Sequence, residues 1–322
     1  MIKFRSKGVR LTVALVLCIS VVSGCHSQTT APQFAAPAAS PSPVAFVSHF
    51  DGAHAYTLLQ AQCAFGPRTP ETAAHERCKK YIIDQLSPNV DSWKLQPFTW
   101  YDPDRHVTLH LNNVIGEINP TASKKILLFT HWDTRPTADQ EVLDDKKKQP
   151  IMGADDGASG TAVLLELART LHKYPPKVGV ILLFVDGEDW GPNDNHMYLG
   201  AKYYAAHLPA VKPEYGILLD MIGQKNLMIH REVTSNQAHP DINDKIWNAA
   251  AAIGDAAYFP NSEKDQISDD HDALNAANVP SVDLIDFDYP YWHTLDDTAD
   301  KCSSESLQVV GDVMDKVLST EN

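Results

Sequence analysis

Five side chains of the types that bind metal gather around the downstream ends of four apolar runs. They are His131 in LLFTHWD, Asp156 in GADDGASG, Asp189 in VDGED, Asp220 in ILLDMIG and His293 in YPYWHTLDD. Two imidazoles and three carboxylates are the borderline and hard donors that zinc takes. Glu188 directly precedes Asp189. It is a carboxyl that the metal does not need and that proton transfer does. Any single Asp after a strand is more often a turn or cap residue, and Asp155 and Asp156 stand where they could cap a helix beginning near 158. The set argues otherwise. Gly153, Gly157 and Gly160 let the backbone turn tightly beside the charges, and Glu188 and Asp189 close the most hydrophobic run of the chain. Ionised carboxylates in such a place are costly unless a cation compensates them.

The elements that must hold these residues alternate between strand and helix. Apolar runs at 125–130, 178–185, 215–219 and 282–287 read as strands, and the Val/Ile/Leu/Phe run at 178–185, interrupted only by Gly179, reads as one buried on both faces. Helical spacing marks 158–174, 199–207, 241–253 and 304–318. The pattern predicts a single α/β domain, with a mixed, mostly parallel central sheet flanked by helices on both faces. In such sheets ligands bind beyond the carboxyl ends of the strands, which is where the candidate ligands fall.

Upstream of that body, residues 1–24 carry Lys3, Arg5, Lys7 and Arg10, then an apolar run, then Val22-Ser23-Gly24-Cys25. This is the pattern of a lipoprotein signal peptide, with Cys25 as the lipidated residue and 25–45 as an extended Pro/Ala/Ser linker. The catalytic body is then 46–322, exported and anchored to the cell envelope, periplasm-facing or on the outer membrane, the residue after Cys25 favouring the outer membrane in a Gram-negative organism. The signal holds four basic residues and no acidic one, so its loss takes the formal charge from −14 to −18. A chain this acidic is not expected to bind nucleic acid, and it is expected to act as a monomer. In an oxidising compartment Cys63 and Cys78 flank a short Gly/Pro-containing segment that a disulfide could close, which leaves Cys302 unpaired.

HWD, GADDGASG, DGED, LLDM and WHT, in this order and at these separations, resemble the zinc aminopeptidase superfamily often called M28, over residues 46–318. Within it the chain is similar to the animal-type glutaminyl cyclases and their bacterial relatives, through Trp292 before His293, the acidic Asp269 in Ser268-Asp269-Asp270-His271, and LLDMIG. The resemblance implies that Asp156, Asp189 and His293 hold one catalytic zinc, with His131 and Asp220 completing a second metal position if one is occupied. It makes Glu188 the general acid/base, in an acidic network with Asp220 and Asp269, and Trp292 a wall of the substrate pocket. Animal cyclases carry a further Trp in the loop after the acidic pair. Here Trp190 follows Asp189 directly and is taken as a second substrate contact.

The activity so implied converts the N-terminal Gln of peptides or proteins to pyroglutamate with release of ammonia. The competing reading is a dizinc aminopeptidase, served by the same side chains. A binding protein that kept its zinc but lost catalysis would have no need of Glu188. Other residues have plainer expectations: Asp133 as an acceptor for the His131 imidazole, His271 either orienting one of the two acids before it or standing at an exposed helix start, His106 and His110 unpaired, and Arg135-Pro136 opening a charged loop, 137–149, of no assigned role.

Overall fold

The computed structural model describes residues 46–322; the signal peptide, Cys25 and the linker lie outside the described residues. Eight strands run in the order β1 (Ser92–Asp102), β2 (Val107–Ile118), β3 (Lys125–His131), β4 (Gly179–Val185), β5 (Tyr215–Asp220), β6 (Arg231–Glu232), β7 (Glu263–Lys264) and β8 (Ser281–Ile285). Six form the central sheet, ordered β1-β2-β4-β3-β5-β8, while β6 and β7 make a two-residue ribbon apart from it. β3, β4, β5 and β8 are parallel; β1 and β2 form an antiparallel hairpin laid against β4. The mixed, mostly parallel sheet expected from the sequence is what forms.

The helices are α1 (Gly52–Cys63), α2 (Ala73–Leu86), α3 (Ala158–Lys173), α4 (Leu199–Ala206), α5 (Val233–Ala238), α6 (Pro240–Ile253), α7 (Asp270–Ala276) and α8 (Ser304–Thr320). Alternate residues of each central strand feed different layers. Val180, Leu182 and Phe184 of β4 join a core built with α1, α2, α3, α6 and α8; Ile181, Leu183 and Val185 join a smaller one built with α4 and α7. Both faces of the sheet are therefore covered, which is why β3, β4, β5 and β8 are buried along their whole length. β1, at the rim, alternates instead between exposed and half-buried positions, a weaker signal that sequence patterning passes over.

Register sets where chemistry can occur. His131 pairs with Val185, and Phe129 stands opposite Leu218, so β3, β4 and β5 finish level and deliver His131, the Asp-Gly-Glu-Asp turn and Asp220 to one rim. α3 is pressed onto this rim, because a Cβ on Gly160 would lie 2.2 Å from Thr130 Oγ1 and 2.3 Å from the Leu219 carbonyl oxygen. Only glycine permits that approach.

Some expectations are corrected. Cys63, Cys78 and Cys302 are free thiols, so the Cys63–Cys78 bridge does not form. Cys78 lies with His75, Ile82 and Leu86 on the inner face of α2 and packs as a small apolar residue, and burial pushes its thiol up to about 12 and that of Cys63 to about 11. His110 pairs with Glu71 at 3.3 Å, and the Tyr101 hydroxyl lies 3.3 Å from His106 Nδ1. His271 is fully buried on α7.

Candidate functional site

The rim gathers the predicted ligands into two groups that share one residue. Asp156, Asp189 and His293 can offer ligand atoms within 4.8 Å of one another, as can His131, Asp156 and Asp220. All are buried or nearly so. His293 Nε2 lies 3.5 Å from both Asp156 Oδ2 and Asp189 Oδ1. His131 Nε2 lies 3.2 Å from Asp156 Oδ1 and 3.1 Å from Asp220 Oδ1.

Local chain geometry explains these positions. Gly157, at φ +98, turns the chain out of the Asp155–Asp156 pair into α3, and a Cβ there would meet the Asp133 carbonyl at 2.7 Å. The helix thus starts on a glycine with no side-chain cap, which frees Asp156 from capping duty. Asp297, in the same HTLDD segment as His293, accepts the backbone N–H groups of Asp155 and Asp156 at 2.9 and 3.3 Å, and the Tyr289 hydroxyl donates to it at 2.6 Å. His293 itself sits in left-handed backbone at φ +53.

Charge is unevenly distributed over the site. Burial works against a proton on His293, but Asp189, Asp139 and Asp156 outweigh it and raise the imidazole to about 9. His131, also buried, is raised well above its ordinary value by Asp133, Asp156, Asp220 and Glu188. Burial would raise Asp189, yet His293 and Arg135 hold it down. Glu188 goes the other way: burial, then Asp189, Asp269 and Asp270, push its carboxyl well above the usual range against the pull of His131. Asp269 is raised likewise by burial, Asp220 and Asp270.

The donor set fits a cation. Among the described residues Asp156 Oδ2 and Asp189 Oδ2 are buried without a hydrogen-bond partner, a costly arrangement in a native fold unless an ion completes it. Two carboxylates and an imidazole with room for a further ligand are what a catalytic zinc takes. A third group, Asp102, Asp104 and His196, is different in kind. The Asp102 carboxyl is already filled by the N–H groups of Asp104 and Arg105, the Arg105 guanidinium and the Trp190 indole N–H.

The triad opens on a cleft of about 300 Å³ whose walls include Glu188, Tyr198, Asp220, Asp269, Phe287 and Trp292. Trp292 stacks on the His293 imidazole with centroids 3.9 Å apart and meets Phe287 edge-on. Trp292 thus lines the cleft beside the triad. Trp190 does not. Its ring turns away from the cleft, packs with Leu109, Leu111 and Leu199 under the Arg105 guanidinium, and donates its N–H to Asp102 at 2.8 Å. Asp133 also has another task. It is 3.8 Å from His131 Nδ1, too far to bond, and its two oxygens accept the backbone N–H groups of Glu188 and Asp189 at 3.1 and 3.2 Å.

Arg135 and Asp139 were not assigned a role from sequence. Arg135 is buried, and its Nη1 donates to Asp189 Oδ1 at 2.5 Å while Nε donates to Asp139 Oδ2 at 2.9 Å, with Nη2 also 2.9 Å from that oxygen. Asp139 Oδ1 in turn lies 3.1 Å from His293 Nδ1. No signal in the sequence distinguished them from other loop charges. Asp297 had one: it closes the HTLDD motif.

A mixed sheet whose strand ends converge on paired carboxylates and imidazoles defines a zinc-exopeptidase type of α/β fold. Residues 113–318 match peptidase family M28, and the chain belongs to that family. It is 27% identical to the glutaminyl-peptide cyclotransferase of Drosophila melanogaster, over 76% of this chain and 75% of that one. Its structure is similar to that of the Bacteroides thetaiotaomicron glutaminyl cyclase bound to N-acetylhistamine, with TM-score 0.82 and 35% identity, covering 86% of this chain and 100% of that one. A Zn-dependent exopeptidase from Parabacteroides distasonis is equally similar, at TM-score 0.82 and 35% identity over 84% of this chain and 99% of that one.

Proposed function

We propose that the chain is a zinc-dependent glutaminyl-peptide cyclotransferase, closing the N-terminal Gln of peptides or proteins to pyroglutamate. The observation that carries this is the setting of Glu188: a buried, proton-avid carboxyl between the Asp156/Asp189/His293 triad and Asp269, facing a cleft walled by Trp292. The kinship with glutaminyl cyclases supports it.

Asp156, Asp189 and His293 would hold one zinc ion, which supplies Lewis-acid polarisation of the substrate γ-carbonyl. The chain supplies the rest. The α-amine nitrogen must bond to the γ-carbon while the bond from that carbon to the amide nitrogen breaks. The amine proton must reach the departing nitrogen, so that ammonia leaves. Glu188 takes that proton and returns it, and its raised proton affinity suits it to both steps. The nucleophile is tethered to its target, so the work of the cleft is to fold the Gln side chain back on its own amine. Trp292 and Phe287 give the cleft an apolar wall, which keeps water, the competing nucleophile, from the reacting carbon.

The group His131, Asp156 and Asp220 favours a second reading, a two-ion aminopeptidase, because it shares Asp156 with the triad. Its atoms are already joined by contacts of 3.1 and 3.2 Å from His131 Nε2, so a single ion is the reading supported here. The same proposal includes export as a monomeric lipoprotein anchored through Cys25 in the cell envelope, supported by the basic and apolar N-terminus. The test is mass spectrometry of a Gln-initiated peptide with the purified protein, with and without a zinc chelator. Loss of one ammonia, abolished by the chelator, is expected; free Gln and a shortened peptide would overturn the cyclase.

A further inference from the structure

We infer that Arg135 and Asp139 are positioning residues for the metal centre: a buried guanidinium bridge that fixes which atoms of Asp189 and His293 face the ion. Arg135 occupies Asp189 Oδ1 at 2.5 Å, and among the described residues Asp189 Oδ2 is left without a partner. On its other side the same guanidinium donates from Nε to Asp139 Oδ2 at 2.9 Å, with Nη2 in ion-pair contact at the same distance. Asp139 then offers Oδ1 to His293 Nδ1 at 3.1 Å. That contact is made by a proton on Nδ1, so the neutral tautomer it selects presents a lone pair on Nε2, which stands 3.5 Å from Asp156 Oδ2 and from the same Asp189 Oδ1 that Arg135 holds. One side chain therefore constrains two ligands on different loops. A lysine could not, because it lacks a planar fork that can serve two carboxylates in fixed directions.

The surroundings hold the guanidinium in place. Arg135 is buried against Gly191 and Met197, and a Cβ on Gly191 would stand 2.8 Å from the guanidinium carbon and both terminal nitrogens. Gly191 adopts φ +53, where glycine is favoured in any case. The backbone directly after the acidic pair is thus shaped to the arginine. Its charge compensates the carboxylates of Asp189 and Asp139, but a cation beside a zinc site also repels the ion. Arg135 costs metal affinity through its field and must return more through geometry.

That opposition gives the test a sign. The inference rests on the reading of Asp156, Asp189 and His293 as zinc ligands, not on cyclisation. Zinc affinity of the purified apoprotein is measured by competition with a chromophoric chelator, alongside the thermal midpoint of each metal-free variant. Arg135→Gln and Arg135→Lys are both expected to weaken zinc binding by roughly 10- to 100-fold, as partners behind a ligand do. Asp139→Asn, which keeps the shape but turns an amide toward Arg135, is expected to weaken it by roughly tenfold and serves if the Arg135 variants do not fold. Zinc binding by Arg135→Gln equal to or tighter than that of the wild type would overturn the inference, as would a Lys variant indistinguishable from the wild type. A lower midpoint of the metal-free variants with unchanged zinc affinity would also overturn it, by making the bridge merely structural. Failure of the wild type itself to bind zinc would instead overturn the site.

Discussion

Asp133→Asn isolates the device that holds the acidic pair. Each oxygen of the fully buried Asp133 carboxyl accepts one backbone N–H, from Glu188 and from Asp189. Asparagine is nearly the same shape but has a single acceptor. Whichever way its amide turns, one of the two N–H groups faces an NH₂ and is left buried without a partner. The loss of a hydrogen bond to a charged acceptor and the stranding of a donor each cost about 1 to 3 kcal/mol. Removing the charge gives something back, because Asp133 pushes up the carboxyls of Asp186 and Asp270. We expect a net destabilisation of about 2 to 4 kcal/mol, or a thermal midpoint lower by roughly 3 to 7 °C in a domain of this size. Turnover should fall further than stability requires, by roughly 10- to 100-fold at a temperature where the variant is folded, since Glu188 loses the anchor of its own backbone. The assays are differential scanning calorimetry and ammonia release from a Gln-initiated peptide. A midpoint within 2 °C of the wild type with turnover within about twofold would show that the two N–H groups do not depend on Asp133 and refute the reasoning.

Glu188→Gln should retain zinc, counted by elemental analysis, while turnover drops by roughly 10² to 10⁴-fold, the usual contribution of a general acid/base; unchanged turnover would remove Glu188 from the mechanism. Trp190→Phe should lower stability by about 1 to 3 kcal/mol through the lost bond to buried Asp102, yet leave KM unaltered; a KM several-fold higher would put Trp190 back at the substrate. Glu321 gives a pH test. Burial alone would raise its carboxyl, but hydrogen bonds from Lys124, Lys245 and Tyr215 hold it at about 2. A depressed folded value stabilises above the ordinary 4.5 and ceases to as pH falls toward 2. Glu321→Gln should therefore melt lower than the wild type, by about 1 to 2 kcal/mol near neutrality, and the gap should hold down to about pH 5 and shrink below it; a gap independent of pH would contradict the assignment.

Why the ligands could be read from sequence while their supports could not comes down to the range of the interactions involved. His131 and Asp220 end strands that are buried throughout and carry an apolar run of three or four residues, so the composition that makes β3 and β5 also marks where each stops. Glu188 and Asp189 follow β4 by the same logic, and the glycines of GADDGASG announce a turn. The hairpin of β1 and β2 is not among the strands read from sequence, because half of β1 faces solvent and its alternation is diluted by Trp93, Leu95 and Tyr101 on the exposed side. Arg135, Asp139 and Trp190 depend on something a linear pattern does not carry, the path of a loop. Trp190 sits next to a ligand in the chain, yet Asp102 of the hairpin, far away in sequence, draws its indole off the cleft. Arg135 sits in a charged stretch that reads as solvated, but Gly191 leaves a slot the size of a guanidinium beside Asp189. Proximity in sequence thus misled for the tryptophan and concealed the arginine for one reason: around this site the strands decide where charges begin, and contacts between loops decide which of their atoms are left for the metal.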